Sequence, residues 1–184
     1  MVETSIILAA GDQKRWVQSG GQGCKQLVDV GKPLIERIQQ HFGGFVVTDN
    51  LDIIKHSEYV INPVYNETLA HSLESSRYYW GSMVTVLLGD VYYTDELVEQ
   101  IKQTKQTTFF GDERDIFAFK FMPSNYVNYC IEVAKKKEGK LWDIYRAYIF
   151  PQKFTDFPNF EKVIAWDFDI LQDYERFIVS RKQA

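Results

Sequence analysis

The chain predicts an α/β fold in which a mostly parallel sheet is flanked by helices. Three observations carry that expectation. Short apolar runs rich in β-branched and aromatic residues alternate with segments of helical pattern along all 184 residues. Glycine, proline and polar turns separate them. No internal repeat, low-complexity stretch or flexible linker interrupts the alternation, so one domain spanning 1–184 is expected, long enough to close a core without disulfides or a structural metal.

The elements follow in order. A strand is expected at Ser5–Leu8, then a helix at Pro33–Phe42, because Pro33 suits a first helical position. Strands at Gly44–Thr48 and Tyr59–Ile61 precede a helix over Glu67–Trp80. Met83–Leu88 is an unbroken apolar run, the pattern of a strand buried on both faces. The next helix, Asp95–Gln103, opens on Thr94 with Asp95 and Glu96 in its first turn, a cap and two acids at a positive helix end. Strands at Thr107–Phe110 and Ile116–Phe121 are followed by helices at Ser124–Lys136, capped by Ser124, and Lys140–Tyr148. A strand at Lys162–Trp166 and a helix at Leu171–Ser180 finish the chain. The segment from Gln152 to Phe160, QKFTDFPNF, is irregular and reads as a surface connection in preference to a loop over a site.

Composition narrows the function. Twenty-one basic residues face 25 acidic ones, a formal charge of −4, which disfavours nucleic acid as a partner. The basic run Lys135-Lys136-Lys137 reads as a solvated helix end. Cys24 and Cys130 have neither metal-ligand nor disulfide spacing. The short apolar run Ile6–Ala10, beginning after Glu3, is neither a signal peptide nor a membrane span, so a cytoplasmic protein with no membrane partner is expected. Gly31-Lys32 lacks the remaining residues of a P-loop, and neither H-E-x-x-H nor G-x-S-x-G occurs. Gly20-Gly21-Gln22-Gly23 follows no strand directly and is no dinucleotide fingerprint.

The most informative stretch is Ser5–Arg37. An apolar strand runs into the small-residue turn Ala9-Ala10-Gly11, a loop carries Lys14, Arg15 and Lys25, and the chain re-enters a helix at Gly31-Lys32-Pro33. Small residues permit close backbone approach, and nearby cations suit phosphate charge. Asp90 ends the central apolar strand after Gly89, where ligands of open α/β sheets bind; an acid that merely turns the chain is an equal reading of that residue alone.

Leu8 to Arg15, Cys24 to Leu27 and Gly31 to Ile35 resemble the segments L-A-A-G-x-G-x-R, P-K-x-L and G-K-P-L-I of the nucleoside-triphosphate transferases. Gln13 stands where the second glycine is usual, and Cys24 where proline is usual. Trp166 to Tyr174 is similar to that family's D-x-D-T-P-E-D-Y segment, with Ile170 and Leu171 replacing Thr and Pro. The resemblance implies a Rossmann-like (GT-A-type) domain that transfers a nucleoside monophosphate from a nucleoside triphosphate to a small phosphorylated acceptor. It implies Mg²⁺ on Asp90 and Asp169, with Asp173 inside the following helix. Asp167 shares a face with Asp169 on a strand and is read, narrowly, as solvated. Arg15 and Lys25 are the implied catalytic cations, for the leaving phosphates and the α-phosphate respectively. Leu8, Ala9, Ala10, Gly11, Arg15, Lys25, Thr68 and Ser72 form the implied nucleotide site, and the Gly20–Gly23 loop a lid over the triphosphate.

Asn62 to Leu73 is similar to a stretch of the choline-phosphate cytidylyltransferases, which favours CMP as the transferred group. Glu67 is a further candidate for a base edge there, while for His71 a structural or surface role is preferred to a ligand role. Lys120 reads as a surface lysine in preference to an acceptor contact, and Trp142, Tyr145 and Tyr148 as a packing stripe in preference to a cage for a quaternary ammonium. Few residues remain for an acceptor subdomain, so a small acceptor or a homodimer partner follows. Two other functions stay open: a non-catalytic nucleotide-binding regulatory protein of this fold, and a related glycosyltransferase, against which the lack of Asp-x-Asp after the central strand counts.

Overall fold

The computed structural model describes residues 2–11, 13–150 and 159–183. The strands are β1 (Glu3–Leu8), β2 (Phe45–Val47), β3 (Val60–Ile61), β4 (Met83–Leu88), β5 (Val91–Tyr92), β6 (Thr108–Gly111), β7 (Ile116–Phe121), β8 (Phe160–Lys162) and β9 (Trp166–Asp167). The helices are α1 (Lys14–Gln18), α2 (Leu34–Phe42), α3 (Leu51–Lys55), α4 (Leu69–Ser75), α5 (Asp95–Gln103), α6 (Asn125–Lys135), α7 (Leu141–Ile149) and α8 (Leu171–Gln183). Seven strands form one sheet in the order β3-β2-β1-β4-β7-β6-β8, and β5 pairs with β9 in a small separate ladder.

Alternation along the strands builds two cores, one on each face of the sheet. Ile6, Leu8, Val84, Val86, Phe109, Phe119 and Phe121 point to one face and pack with residues of α4, α6 and α7. Ile7, Val46, Leu87, Phe110 and Ala118 point to the other, against α2, α5 and α8. Phe109 and Phe119 stack at 4.0 Å between ring centres, and Tyr145 meets Phe109 at 4.9 Å. The stripe on α7 is thus packing: Tyr145 is buried in the core, Tyr148 lies against Phe109 and Tyr126, and Trp142 stacks on Phe160.

The sheet is mostly parallel, as expected, but β7 runs against both its neighbours. Only Asp112 to Asp115 link it to β6, and a connection that short permits a hairpin and no crossover. The expected helix Glu67–Trp80 is shorter: Thr68 caps α4 by accepting from the His71 amide, and a 3-10 turn at Arg77–Tyr79 follows. The expected strand Lys162–Trp166 divides into β8 and β9. Most of the irregular segment 152–160 lies outside the described residues.

Two short helices add to the expected elements, α1 where a loop is expected and α3 where no element is. In α1 the buried Trp16 anchors one turn. In α3 the Asn50 side chain accepts from the amides of Asp52 and Ile53, a cap that was legible in the sequence. Lys120 is neither a surface lysine nor an acceptor contact. It is fully buried, pairs with Glu3 at 2.5 Å, and donates to the carbonyls of Ile101 and Lys102 at the end of α5.

Candidate active site

The carboxyl ends of β1 and β4 open into a crevice of about 800 Å³. Leu8, Ala10, Gly11, Arg15, Lys25, Thr68, Ser72, Asp90 and Asp169 all line it. Ala9, expected among them, does not. Its side chain belongs to the core, its amide donates to the Val47 carbonyl and its carbonyl accepts from the Thr48 hydroxyl. The Gly20–Gly23 loop is not at the crevice either. Gly21 packs flat on the Trp16 indole, where a Cβ would lie 2.3 Å from the ring, and Gln22 and Gly23 line a separate depression.

The charged centre of the crevice is assembled from three places in the chain. Asp90 follows β4, Asp167 ends β9, and Asp169 precedes α8. The β5–β9 ladder pairs Val91 with Asp167, and the Phe168 amide donates to the Asp90 carbonyl at 3.0 Å, which brings the acids together. One carboxylate oxygen from each lies within 4.8 Å of the others. Gly89 lets this turn pass close to β1: an added Cβ would sit 3.0 Å from Ala9 Cβ and 3.1 Å from the Leu8 carbonyl.

Two cations face the acids. The Lys25 amine lies 2.5 Å from Asp90 and 3.1 Å from Asp169, and Arg15 lies 2.6 Å from Asp169. Burial works against the Lys25 charge, yet Asp90 and then Asp169 outweigh it and hold the amine above its ordinary value. With all three acids ionised, three carboxylates against two cations leave the cluster one negative charge in excess, which a proton or a cation at Asp167 removes.

Asp167 is not the solvated residue expected from sequence. Its Oδ1 is buried without a hydrogen-bond partner. Burial, reinforced by Asp90 and Asp169, pushes its carboxyl up to about 8. The reason is the pairing of β9 with β5, which turns Asp167 inward between the other two acids. An orphaned buried oxygen beside two further carboxylates fits a hard divalent cation, because such ions take oxygen donors from a few carboxylates and fill the remaining positions with phosphate and water.

The two departures in the first motif have a structural account. Gln13 adopts φ −95, an ordinary value, so glycine is not required there. Its side chain accepts from the Lys25 amide at 3.1 Å and donates to Gln26 at 3.0 Å, tying the start of α1 to the segment that carries Lys25. Cys24 donates to Gln26 Oε1, and burial raises its thiol above the usual value. The replaced Thr-Pro before α8 is likewise compensated: Asp173 accepts from the Ile170 amide, and Ser19 from the Leu171 amide.

Thr68 and Ser72 line the crevice with hydroxyls already engaged. Thr68 meets the His71 ring at 2.9 Å and Ser72 donates to the Thr68 carbonyl, so His71 has a structural role. Gly139, at φ +69, packs directly on the Thr68 side chain and brings the start of α7 alongside. Sequence reasoning missed what arrives there: Asp115, Lys140 and Trp142 complete the far wall. Asp115 is exposed at the rim of the crevice, and its carboxyl is pushed up, first by partial desolvation and then by Asp169. No motif marks these residues; only the β6–β7 hairpin and the α6–α7 turn bring them in.

No family model matches the chain, and no curated protein matches its sequence. Solved structures do. A nucleotidyl transferase from Methanothermobacter superposes with a TM-score of 0.71 at 15% identity, over 95% of each chain. The CTP:phosphocholine cytidylyltransferase of Streptococcus pneumoniae gives 0.59 at 19% identity, over 96% of this chain and 98% of that one. The chain has the nucleotidyltransferase fold. The inositol-1-phosphate CTP transferase of T. maritima matches with 0.61 at 12% identity, over 93% and 90% of the two chains. Among the described residues no helix is long and apolar enough to cross a membrane.

Proposed function

We propose that the protein is a divalent-cation-dependent nucleotidyltransferase that moves a nucleoside monophosphate, CMP by preference, from a nucleoside triphosphate to a small phosphorylated acceptor. The observation that carries the reading is the cluster at the carboxyl ends of the central strands: Asp90, Asp167 and Asp169 around one point, faced by Lys25 and Arg15. The fold shared with nucleotidyltransferases supports it, and the naming of CTP in two of those neighbours supports the preference for CMP.

In this reading the triphosphate lies across the Leu8–Gly11 turn with its phosphates toward Arg15 and Lys25. Asp90, Asp167 and Asp169 would hold Mg²⁺, which would supply charge neutralisation at the α-phosphate. A phosphate oxygen of the acceptor bonds to the α-phosphorus, and the bond from that phosphorus to the β-phosphate oxygen breaks to release pyrophosphate. The acceptor phosphate is already anionic near neutral pH, so no side chain needs to take its proton. Positioning and charge do the rest. Lys25 would serve the α-phosphate and the Arg15 fork the departing phosphates. The wall at Asp115, Lys140 and Trp142 receives the acceptor.

Pyrophosphate release tests this. CTP, UTP, GTP and ATP are each combined with sugar, polyol and amino-alcohol phosphates, with and without Mg²⁺. Release from one triphosphate, dependent on Mg²⁺ and an acceptor and absent in Asp90→Ala, is expected. Nucleotide binding without release in any combination would leave a regulatory binding protein of the same fold.

A further inference from the structure

Tyr93 has a fully polar-satisfied hydroxyl in an apolar place, and nothing in the proposed chemistry uses it. The side chain is buried at 3% exposure, its ring edge-on to Phe42 at 5.8 Å. The hydroxyl accepts from the Leu88 amide at 2.9 Å and lies 2.7 Å from the Phe117 carbonyl, to which it donates; the Leu88 carbonyl is 3.2 Å away. Burial first of all, with Asp90 and Asp167 adding to it, holds the phenol protonated well above its ordinary range, so the donor is always present.

The position of that hydroxyl in the sheet is informative. The antiparallel β4–β7 ladder runs Val84↔Phe121, Thr85↔Lys120, Val86↔Phe119, Leu87↔Ala118 and stops. The next pair in register is Leu88 with Phe117. There the amide and carbonyl are joined through the Tyr93 oxygen in place of a direct bond. The Tyr93 hydroxyl thus bridges the two strands at this rung, and Leu88 and Ile116 beside it line the crevice. Two residues after Leu88 stands Asp90, and one residue before Tyr93 is Tyr92, whose partner in the β5–β9 ladder is Trp166, next to Asp167.

We propose that Tyr93 is a positioning residue for the cation site: its hydroxyl splices the end of the β4–β7 ladder and thereby fixes the turn that presents the Asp90 carboxylate. The inference rests on the reading of Asp90 as a cation ligand. Removing the hydroxyl leaves the Leu88 amide and the Phe117 carbonyl either unpaired or drawn together, and drawing them together moves Asp90 toward β7. Linkage makes the effect reciprocal, so a cation on Asp90 steadies the Leu88 rung.

Mn²⁺ affinity, measured by electron paramagnetic resonance without nucleotide, is compared in wild type, Tyr93→Phe and Ile131→Val, the last a core change on the opposite face of the sheet. Tyr93→Phe is expected to bind Mn²⁺ about tenfold more weakly and Ile131→Val as wild type does, whatever each does to the melting temperature. In wild type, Mg²⁺ is expected to slow amide exchange at Leu88 at least tenfold while the amides of α6 stay unchanged. That measurement decides the matter if Tyr93→Phe does not fold. Unchanged Mn²⁺ affinity in a folded Tyr93→Phe, or no slowing at Leu88, overturns the inference while leaving the proposed transferase reading intact. Weaker Mn²⁺ binding in Tyr93→Phe of a protein that releases no pyrophosphate from any triphosphate sustains the inference and refutes that reading. No Mn²⁺ binding in wild type overturns the inference, and pyrophosphate release then decides the transferase reading on its own.

Discussion

Asp167→Asn changes one atom at the centre of the acid cluster and separates its electrostatics from its shape. With its carboxyl pushed up to about 8 in the folded chain, against an unfolded value near 3.9, Asp167 binds a proton that the unfolded chain has already released. A raised folded value means the contribution to stability is complete below about pH 4 and is lost as pH rises through 8. A shift of about four units at about 1.4 kcal/mol each sets a ceiling of roughly 6 kcal/mol. The crevice admits water and Lys25 stands beside the cluster, so the realised loss is smaller, on the order of 2 kcal/mol. Asparagine cannot ionise, and the variant escapes the loss. In EDTA it is expected to match wild type near pH 4 and to melt about 4–8 °C higher at pH 9, taking about 2–4 °C per kcal/mol for a domain of this size. Mg²⁺ is expected to reverse the order at pH 9, because wild type gains a bound ion and the variant loses a ligand. Calorimetric melting at both pH values, with EDTA and with Mg²⁺, reads all four states. Equal pH slopes for the two proteins in EDTA would refute the account of Asp167 as a carboxylate waiting for a cation.

Three further outcomes follow from named contacts. Gln13→Gly restores the residue usual in the family yet removes the bonds to the Lys25 amide and Gln26; it is expected to cost about 2 kcal/mol, two hydrogen bonds at about 1 kcal/mol each, read by urea unfolding. A gain in stability would show that the loop does not depend on this side chain. Asp90→Ala is expected to keep the fold while abolishing both Mg²⁺-dependent nucleotide stabilisation in a thermal-shift assay and pyrophosphate release; retained turnover would remove Asp90 from the site. For the buried pair, Glu3→Gln should cost about 3 kcal/mol because it strands the Lys120 charge, whereas Lys120→Met should cost about 1 kcal/mol because Glu3 is half-open to water. Chemical denaturation giving the opposite order would contradict the asymmetry.

What was legible in the sequence was whatever a local pattern encodes. The β4 run MVTVLL announces a strand buried on both faces, and Thr94 and Ser124 announce their helices because each side chain caps the amide three residues on. The turn at Leu8–Gly11 and the acids at Asp90 and Asp169 were legible only through a motif, and the structure brings them to one crevice. The helix α3 was missed despite its local Asn50 cap; the other misses depend on partners distant in the chain. Lys120 is the one charged residue in the apolar, fully buried run IFAFKF of β7; Glu3, 117 residues earlier, is what makes its burial tolerable. Asp167 reads as a solvated acid until β9 is seen to pair with β5, a two-residue ladder too short for any periodicity to reveal. Ala9 sits inside the motif that marks the site, and its backbone bonds to Val47 and Thr48 tie that turn to β2. Gln13 shows why a motif tolerates exceptions: the ligand-facing requirement is the placement of Lys25, and a side chain that grips the Lys25 amide meets it by a route glycine cannot take. The chemistry therefore constrains where charges end up more tightly than which residues carry the loop between them.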